Sequence, residues 1–200
     1  EDLHASTNFA LGSEGLPARS LDEVRRCVGN GIRKLIERAV PDGCAPDVTD
    51  RVFAAFKRHY AENCMVLTRP YPGIPEMLDA LKARGWQLGV VSNKADEPVK
   101  ALIAHYFPGV FDSVVGEREN VRKKPAPDSV FETVGSLGCD IGQAVYIGDS
   151  DVDGQTAANA GCDCILVSWG FRGRETLLPF CCPIADSTGE LLTILMEGEK

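Results

Sequence analysis

The chain has 200 residues, of which 44% are hydrophobic and 25% charged, and its formal net charge is −8. This balance is typical of one globular domain, or of a core with a modest insert. The acidic charge, with no basic stripe to offset it, argues against nucleic acid or an anionic membrane as a partner. No apolar run approaches the ~20 residues that cross a bilayer, and no export signal is visible, so we predict a cytoplasmic protein. The eight cysteines form no C-x-x-C pair, which favours free thiols.

The first third of the chain has helical periodicity. Apolar residues recur at helical spacing from Leu3 to Leu11, and Ser20–Glu23 has the capping-box pattern that starts a helix. After an interruption at Gly29-Asn30-Gly31 the amphipathic pattern resumes, and a further helix is expected from about Val48 to Asn63. We therefore predict a small helical module over residues 1–68.

The pattern changes after Thr68–Gly73, a segment whose two prolines and one glycine predict a semi-rigid boundary. Beyond it, short strand patterns alternate with helical patterns of about ten residues. Strands separated by helices imply right-handed crossovers and a parallel sheet, so the predicted fold class is α/β. The predicted strands are Gln87–Ser92, Asp112–Gly116, Ala144–Ile147, Cys164–Val167 and Ile184–Ala185.

An acidic segment follows the third of these strands. Ala144–Ile147 is wholly apolar and is expected to be buried on both faces. Gly148 ends it, carboxylates follow at Asp149, Asp151 and Asp153, and a helix is expected from Gln155. An open α/β sheet binds ligands at the carboxyl ends of its strands, and oxygen ligands suit Mg²⁺. We expect Asp151 to be exposed rather than to bind metal.

The acidic segment has two alternative interpretations. D-x-D-x-D-G matches the first half of a calcium-binding EF-hand loop, but that loop needs a Glu at its twelfth position, where this chain has Ala160. It also needs a helix in front, where this chain has a strand pattern. A solvated acidic turn without function is the second alternative.

Two other segments could contribute to a phosphate site. Ser92-Asn93 ends a strand just before a helix, where free N–H groups can bind phosphate, although such a pair is also common in simple turns. Pro125 and Pro127 are expected to hold Lys124 on a short rigid loop, where its ammonium could bind phosphate; a solvated surface lysine is the alternative. A metal-binding carboxylate, a lysine and a hydroxyl at a helix start together predict phosphoryl transfer.

The residues of these three segments resemble known motifs. Val90–Asn93 (VVSN), Lys124–Pro127 (KPAP) and Gly148–Asp153 (GDSDVD) are similar to the second, third and fourth motifs of haloacid dehalogenase (HAD) superfamily phosphatases. Val28–Gly31 and Trp169–Phe171 are similar to the phosphoglycolate phosphatase branch. The resemblance implies a Rossmann-like parallel-sheet core over residues 69–200, with residues 1–68 as an inserted helical cap.

The resemblance also implies roles for individual residues. Asp149 would coordinate Mg²⁺, and Asp153 would support the metal site, through water or through Lys124. Ser92 and the backbone of Asn93 would bind the phosphoryl group, while Lys124 would neutralise the phosphate and the nucleophile.

From the cap, Asn30, Gly31 and Arg33 would contact the rest of the substrate. Each also has an alternative interpretation without contact to substrate. Asn30 could be a turn residue, Gly31 a helix breaker and Arg33 a solvated charge.

One motif of these phosphatases, D-x-D-G-T, does not occur in the sequence. In the family it supplies the nucleophilic Asp and the Asp that acts as general acid and base. Its strand would lie between the strands that end at Ser92 and Ile147, and unpaired buried backbone groups there would cost about 1–3 kcal/mol each. We therefore expect the natural protein to carry about 10–20 further residues before Glu1, or another segment to fill this place. The chain as written is expected to be inactive.

The predicted function is Mg²⁺-dependent hydrolysis of a small phosphomonoester, with 2-phosphoglycolate as the best single candidate, through a phospho-aspartate. Pyrophosphate, a nucleotide or a sugar phosphate are alternative substrates. A non-catalytic phosphate-binding module is the alternative if the natural chain starts at Glu1. The protein is expected to be a monomer or a homodimer, with no nucleic-acid or membrane partner.

Overall fold

The computed structural model describes residues 1–28 and 31–198. By its contacts, the chain divides into two compact units, Glu1–Arg69 and Pro70–Lys200. The boundary between them falls inside the proline-containing segment Thr68–Gly73. The roles of cap and core that the resemblance implies for them stay predictions.

The described part of the first unit consists of helices and their connections. Ser20 caps the second helix, since its side chain accepts a hydrogen bond from Glu23 N while the Glu23 carboxylate accepts one from Ser20 N. The fourth helix begins at Pro46, two residues before the predicted start, because proline is tolerated in a first helical turn. Leu11, Ile36 and Phe56 are fully buried between the helices. The helices are α1 (Asp2–Ser13), α2 (Leu21–Cys27), α3 (Ile32–Ala39) and α4 (Pro46–Asn63).

The Asp2 carboxylate joins the two ends of this unit. It accepts hydrogen bonds from Leu67 N at 2.8 Å, from Thr68 N at 2.9 Å and from Thr68 Oγ1 at 2.8 Å. Burial by itself would raise the pKa of Asp2, but these hydrogen bonds outweigh it and hold the pKa below its ordinary value. Asp2 therefore stabilises the unit in its ionised form.

We expect Asp2→Asn to weaken this link by about 1.5 kcal/mol at pH 7, because an amide replaces a charged acceptor of several hydrogen bonds. A lowered pKa stabilises the folded state above the unfolded-state pKa, near 4, and this contribution is lost as the pH falls through the folded-state value. Hydrogen-exchange protection of the Leu67 and Thr68 amides measures the change. Asp42→Asn, at an exposed position, is the matched control, and equal protection in both variants would contradict the prediction.

The second unit alternates helices and strands. Its helices are α5 (Ile74–Ala83), α6 (Asp96–Tyr106), α7 (Asp128–Leu137), α8 (Asp151–Ala160), α9 (Arg174–Leu177) and α10 (Thr188–Glu197), with 3-10 turns at Ile141–Gln143 and Leu178–Phe180. Its strands are β1 (Gly89–Ala95), β2 (Ser113–Glu117), β3 (Val145–Gly148), β4 (Asp163–Val167) and β5 (Ile184–Ala185).

All of the strand pairs in the described residues are parallel, and they confirm the predicted α/β class. β1 pairs with β2, while β3, β4 and β5 form a separate sheet in that order. Helices α5 and α10 share a buried cluster with β4 on one side of this sheet, and α7 and α8 share another. The carboxyl ends of β3 and β4 thus lie at one edge, as ligand sites in such sheets require.

One expectation about β3 is wrong. The strand was predicted to be buried on both faces, but the Ile147 side chain is 40% exposed. Within the described residues β3 pairs only with β4, and β1 is not hydrogen-bonded to it, so no neighbouring strand covers that side. The sequence pattern predicts an apolar strand, but it does not show whether a second strand will pair with that side of β3.

None of the described helices is long and apolar enough to cross a membrane. The cytoplasmic location stays a prediction.

Candidate functional site

The acidic segment after β3 is the first turn of a helix and not a loop ahead of one. The predicted helix start was Gln155, whereas α8 begins at Asp151 with Ser150 as its N-cap. Ser150 Oγ accepts a hydrogen bond from Asp153 N at 3.3 Å and donates one to Asp153 Oδ2 at 2.5 Å. A hydroxyl that satisfies a free amide of the first turn starts a helix, and this explains the earlier beginning.

Asp153 is a buried carboxylate surrounded by donors. Its Oδ1 accepts hydrogen bonds from Lys124 Nζ at 2.8 Å and Tyr146 OH at 3.0 Å, and its Oδ2 accepts one from Asp149 N at 3.2 Å. Burial acts to raise the pKa of Asp153, but the Lys124 ammonium and these hydrogen bonds lower it below its ordinary value. Both of its oxygens are occupied, so Asp153 is suited to orient its neighbours.

Lys124 is held at both its backbone and its ammonium group. Asn93 Oδ1 accepts a hydrogen bond from Lys124 N at 2.8 Å, and Asn93 Nδ2 donates one to Lys124 O at 3.1 Å. The ammonium also donates to Val91 O at 3.3 Å and to Tyr146 OH at 3.2 Å. The Lys124 side chain is only 14% exposed, which is incompatible with the alternative of a solvated surface lysine.

Ser92 lies in an irregular part of β1. The pairing register with β2 shifts between Val91 and Ala95, and such an irregularity turns side chains away from their regular directions. Ser92 Oγ accepts a hydrogen bond from Lys94 N at 3.1 Å. Asn93 thus reaches Lys124 through its side chain, and Ser92 precedes it in the same irregular segment.

Asp149 lies at the end of β3, with its carboxylate oriented by the loop after β4. Phe171 N donates a hydrogen bond to Asp149 Oδ2 at 3.0 Å. Burial raises the pKa of Asp149 above its ordinary value; the Phe171 amide opposes this rise and the nearby Asp153 carboxylate adds to it. Two carboxylates held together in a buried place favour a bound cation.

Gly170 leaves the space that Asp149 needs. A Cβ at position 170 would overlap the Asp149 carboxylate. The loop can therefore approach Asp149 closely enough to donate its amide only because residue 170 has no side chain.

We expect Gly170→Ala to displace the Asp149 carboxylate and to lower kcat/KM of the natural protein about 10²-fold, since misplacement by about 1 Å can have an effect of that size. Gly173→Ala is the matched control in the same segment, because a Cβ there meets no atom within 4 Å. Activity that falls equally in both variants would contradict the expected role of Gly170.

The oxygen-only donor set of this cluster fits a hard cation such as Mg²⁺. Asp149 is the carboxylate available to bind it, because Asp153 is engaged by its own donors. Asp151 lies on the exposed side of α8, with its side chain 49% exposed and 3.5 Å from Arg172 Nε. Residues 1–28 and 31–198 contain no group of three or more His, Cys, Asp or Glu side chains that could hold a metal, so these residues supply only part of a coordination shell.

The predicted cap residues belong to the first unit. Asn30 lies outside the described residues. Gly31 precedes α3 with a φ of +89°, a conformation that favours glycine. Arg33 is paired with Glu37 at 2.9 Å and with Asp50 at 2.6 Å. Their contact with substrate stays a prediction.

The sequence interpretation missed three contributors to the site. Tyr146 belongs to an apolar strand pattern, yet its hydroxyl contacts both Lys124 and Asp153. Ser150 had a visible signal, because a serine three residues before an acidic residue is a helix-start pattern. The Phe171 amide had no signal in the sequence, since every residue except proline has a backbone N–H group.

A family model described as haloacid dehalogenase-like hydrolase matches residues 1–167. The chain belongs to this haloacid dehalogenase-like family. The resemblance drawn from the three motifs is thereby confirmed.

Individual HAD-family relatives are similar over most of their length. A phosphoglycolate phosphatase of Aquifex aeolicus is 34% identical over 180 residues, which cover 90% of this chain and 83% of that protein. One from Caulobacter vibrioides is 35% identical over 182 residues, covering 88% and 77%. The crystal structure of a candidate phosphoglycolate phosphatase from Lactobacillus delbrueckii has a TM-score of 0.89 at 32% identity, covering 97% of this chain and 91% of that one. These HAD relatives support phosphatase chemistry and a Rossmann-like core.

Proposed function

We propose that this HAD phosphatase hydrolyses 2-phosphoglycolate with the help of Mg²⁺. The observation that carries the proposal is the buried Lys124–Asp153 pair beside Asp149, at the carboxyl end of β3. Such a cluster places a fixed positive charge and a metal-binding carboxylate next to each other, as phosphoryl transfer requires. The substrate is suggested by relatives that bear the name phosphoglycolate phosphatase.

The roles of the cluster follow from its chemistry. The Ser92 hydroxyl and the Asn93 backbone amide would donate hydrogen bonds to the phosphoryl oxygens. The Lys124 ammonium would neutralise negative charge that develops on the phosphoryl group, and the Asn93 side chain would hold Lys124 in place. Asp153 would keep Lys124 charged and oriented.

Asp149 would hold Mg²⁺, with Phe171 N fixing the direction of its carboxylate. When bound, Mg²⁺ supplies charge stabilisation to the transferring phosphoryl group. A phospho-aspartate intermediate is part of the proposal, but the D-x-D-G-T sequence that would carry it is absent from the 200 residues. The proposal therefore assigns no nucleophile to these residues.

The test measures release of inorganic phosphate by the natural protein in which this sequence occurs. 2-Phosphoglycolate is compared with pyrophosphate, a nucleoside monophosphate and a sugar phosphate, each with Mg²⁺ and with EDTA. We expect the highest kcat/KM for 2-phosphoglycolate and no release with EDTA. A higher kcat/KM for one of the other compounds would show that 2-phosphoglycolate is not the preferred substrate. Binding of phosphate without turnover of any compound would favour a non-catalytic module.

A further inference from the structure

A second group of reactive side chains lies away from the phosphate site. A cavity of about 840 Å³ in the second unit is lined by Cys162, Cys164, Cys181 and Cys182. It lies at the amino ends of β3 and β4, where Val145 and Asp163 also line it. Asp149 follows the carboxyl end of β3, so the cysteines occupy the opposite edge of the same sheet.

Strand register brings two of these cysteines together. The parallel pair β4–β5 places Leu166 opposite Ile184, and Leu166 N donates a hydrogen bond to Pro183 O at 2.9 Å. Cys164 and Cys182 each precede this pair by two residues; Cys164 lies within β4, and Cys182 lies in the bend just before β5. Neighbouring strands are about 4.8 Å apart, and a disulfide joins Cα atoms about 4.4–6.8 Å apart.

The two thiols also interact directly. Burial raises the pKa of the Cys164 thiol, and the Cys182 thiol, which hydrogen-bonds to it, raises it further. The other two thiols of the cavity are engaged elsewhere, because Cys162 Sγ donates to Ala157 O at 3.8 Å and Cys181 Sγ to Pro179 O at 3.8 Å. All four cysteines are reduced thiols in the structure and none of the four is in a disulfide bond.

We infer that Cys164 and Cys182 form a redox-active dithiol, which hydrogen peroxide oxidises to a disulfide and a small thiol reduces again. The Cys182 thiol loses its proton, and the resulting thiolate attacks one peroxide oxygen; the O–O bond breaks, a sulfenic acid forms, and the released hydroxide takes up the thiol proton to leave as water. The Cys164 sulfur then displaces the hydroxyl of that sulfenic acid as a second water and forms the S–S bond. Two electrons pass from the sulfurs to the peroxide.

The closed disulfide would tie the start of β4 to the segment before β5. The loop between the two cysteines contains Phe171, whose amide orients Asp149, and Cys164 lies opposite Tyr146 in the β3–β4 register. Oxidation would therefore constrain a loop that reaches the phosphate site. The inference rests on the strand register and the cavity, and it does not depend on the proposed function.

Peptide mapping of the 200-residue protein tests this directly. Trypsin does not cut before proline, so Cys164 falls in the peptide of residues 124–172 and Cys182 in that of residues 175–200. After treatment of the reduced protein with one equivalent of hydrogen peroxide, we expect a loss of two hydrogens from the intact mass. We also expect these two peptides to be joined without reductant and separate after dithiothreitol. Fragmentation of the joined species should place the bond between Cys164 and Cys182.

Variants separate this pair from its neighbours. Cys164→Ser and Cys182→Ser should each lower the yield of the joined peptides more than tenfold, while Cys181→Ser and Cys139→Ser should leave it unchanged. A bond that uses Cys162 or Cys181 instead, or addition of oxygen atoms to one sulfur with no S–S bond, would overturn the inference. If a serine variant fails to fold, the fragmentation of the wild-type species decides by itself.

Discussion

Replacement of Lys124 by methionine is expected to lower the free energy of unfolding of the second unit by about 3 kcal/mol, because it leaves a buried carboxylate without its cation. The side chains of Lys124 and Asp153 are only 14% and 7% exposed, and their charged atoms are 2.8 Å apart. Three other donors remain on Asp153, from Tyr146, Ser150 and Asp149, so the loss should fall at the lower end of the range for buried pairs. Activity of the natural protein should fall at least ~10²-fold.

Tryptophan fluorescence during denaturation with urea measures this stability change. The protein has two tryptophans, and Trp86 and Trp169 both belong to the second unit, so the signal reports on that unit. Lys123→Met is the matched control, because the neighbouring lysine is 59% exposed in its pair with Glu117 and should change stability by less than about 0.5 kcal/mol.

A second variant isolates the pair itself. The double variant Lys124→Met with Asp153→Asn should recover part of the lost stability, since it removes the uncompensated charge. A double variant as unstable as the sum of its single changes would contradict an interaction between the two residues.

Replacement of Asp149 by asparagine is expected to lower activity of the natural protein about 10³-fold without loss of stability, because the variant loses the carboxylate that would hold the metal. Asp149 is a buried carboxylate beside Asp153, and removal of its charge relieves repulsion between the two groups. A charged residue that is needed for activity but lowers stability should, when its charge is removed, lose activity and keep or gain stability. The same tryptophan signal measures stability, and phosphate release measures activity.

Magnesium gives a readout of Asp149 that is independent of turnover. Added Mg²⁺ should raise the unfolding temperature of the unaltered protein and should not raise that of Asp149→Asn, because only a ligand that binds the folded state stabilises it. Asp151→Asn is the matched control, since Asp151 lies two residues further along the chain with its side chain 49% exposed, and it should keep both activity and the Mg²⁺ response. Equal losses in both variants would contradict the assignment of Asp149.

Much of the fold was predictable because its signals are local. The capping box at Ser20 depends on residues three positions apart, and the strand at Ile184–Ala185 was found at its observed bounds. Local patterns predicted Asp149 directly after a strand and Lys124 on a loop before a helix, and the structure has both residues in those places. They did not place the start of α8, because the alternating carboxylates and Gly154 are typical of a turn, whereas the Ser150 cap starts the helix at Asp151.

The alternation of helices and strands can be predicted from the amino-acid sequence, and so can the segments that carry the chemistry, because periodicity, caps and motifs lie within a few residues of one another. The three-dimensional structure was needed to find that Asn93 holds Lys124, 31 residues away, and that Phe171 N orients Asp149, 22 residues away. It also decided that Ile147 is exposed and that Cys164 meets Cys182. These contacts depend on strand register and on which strands become neighbours, and side-chain packing over the whole unit sets both of them.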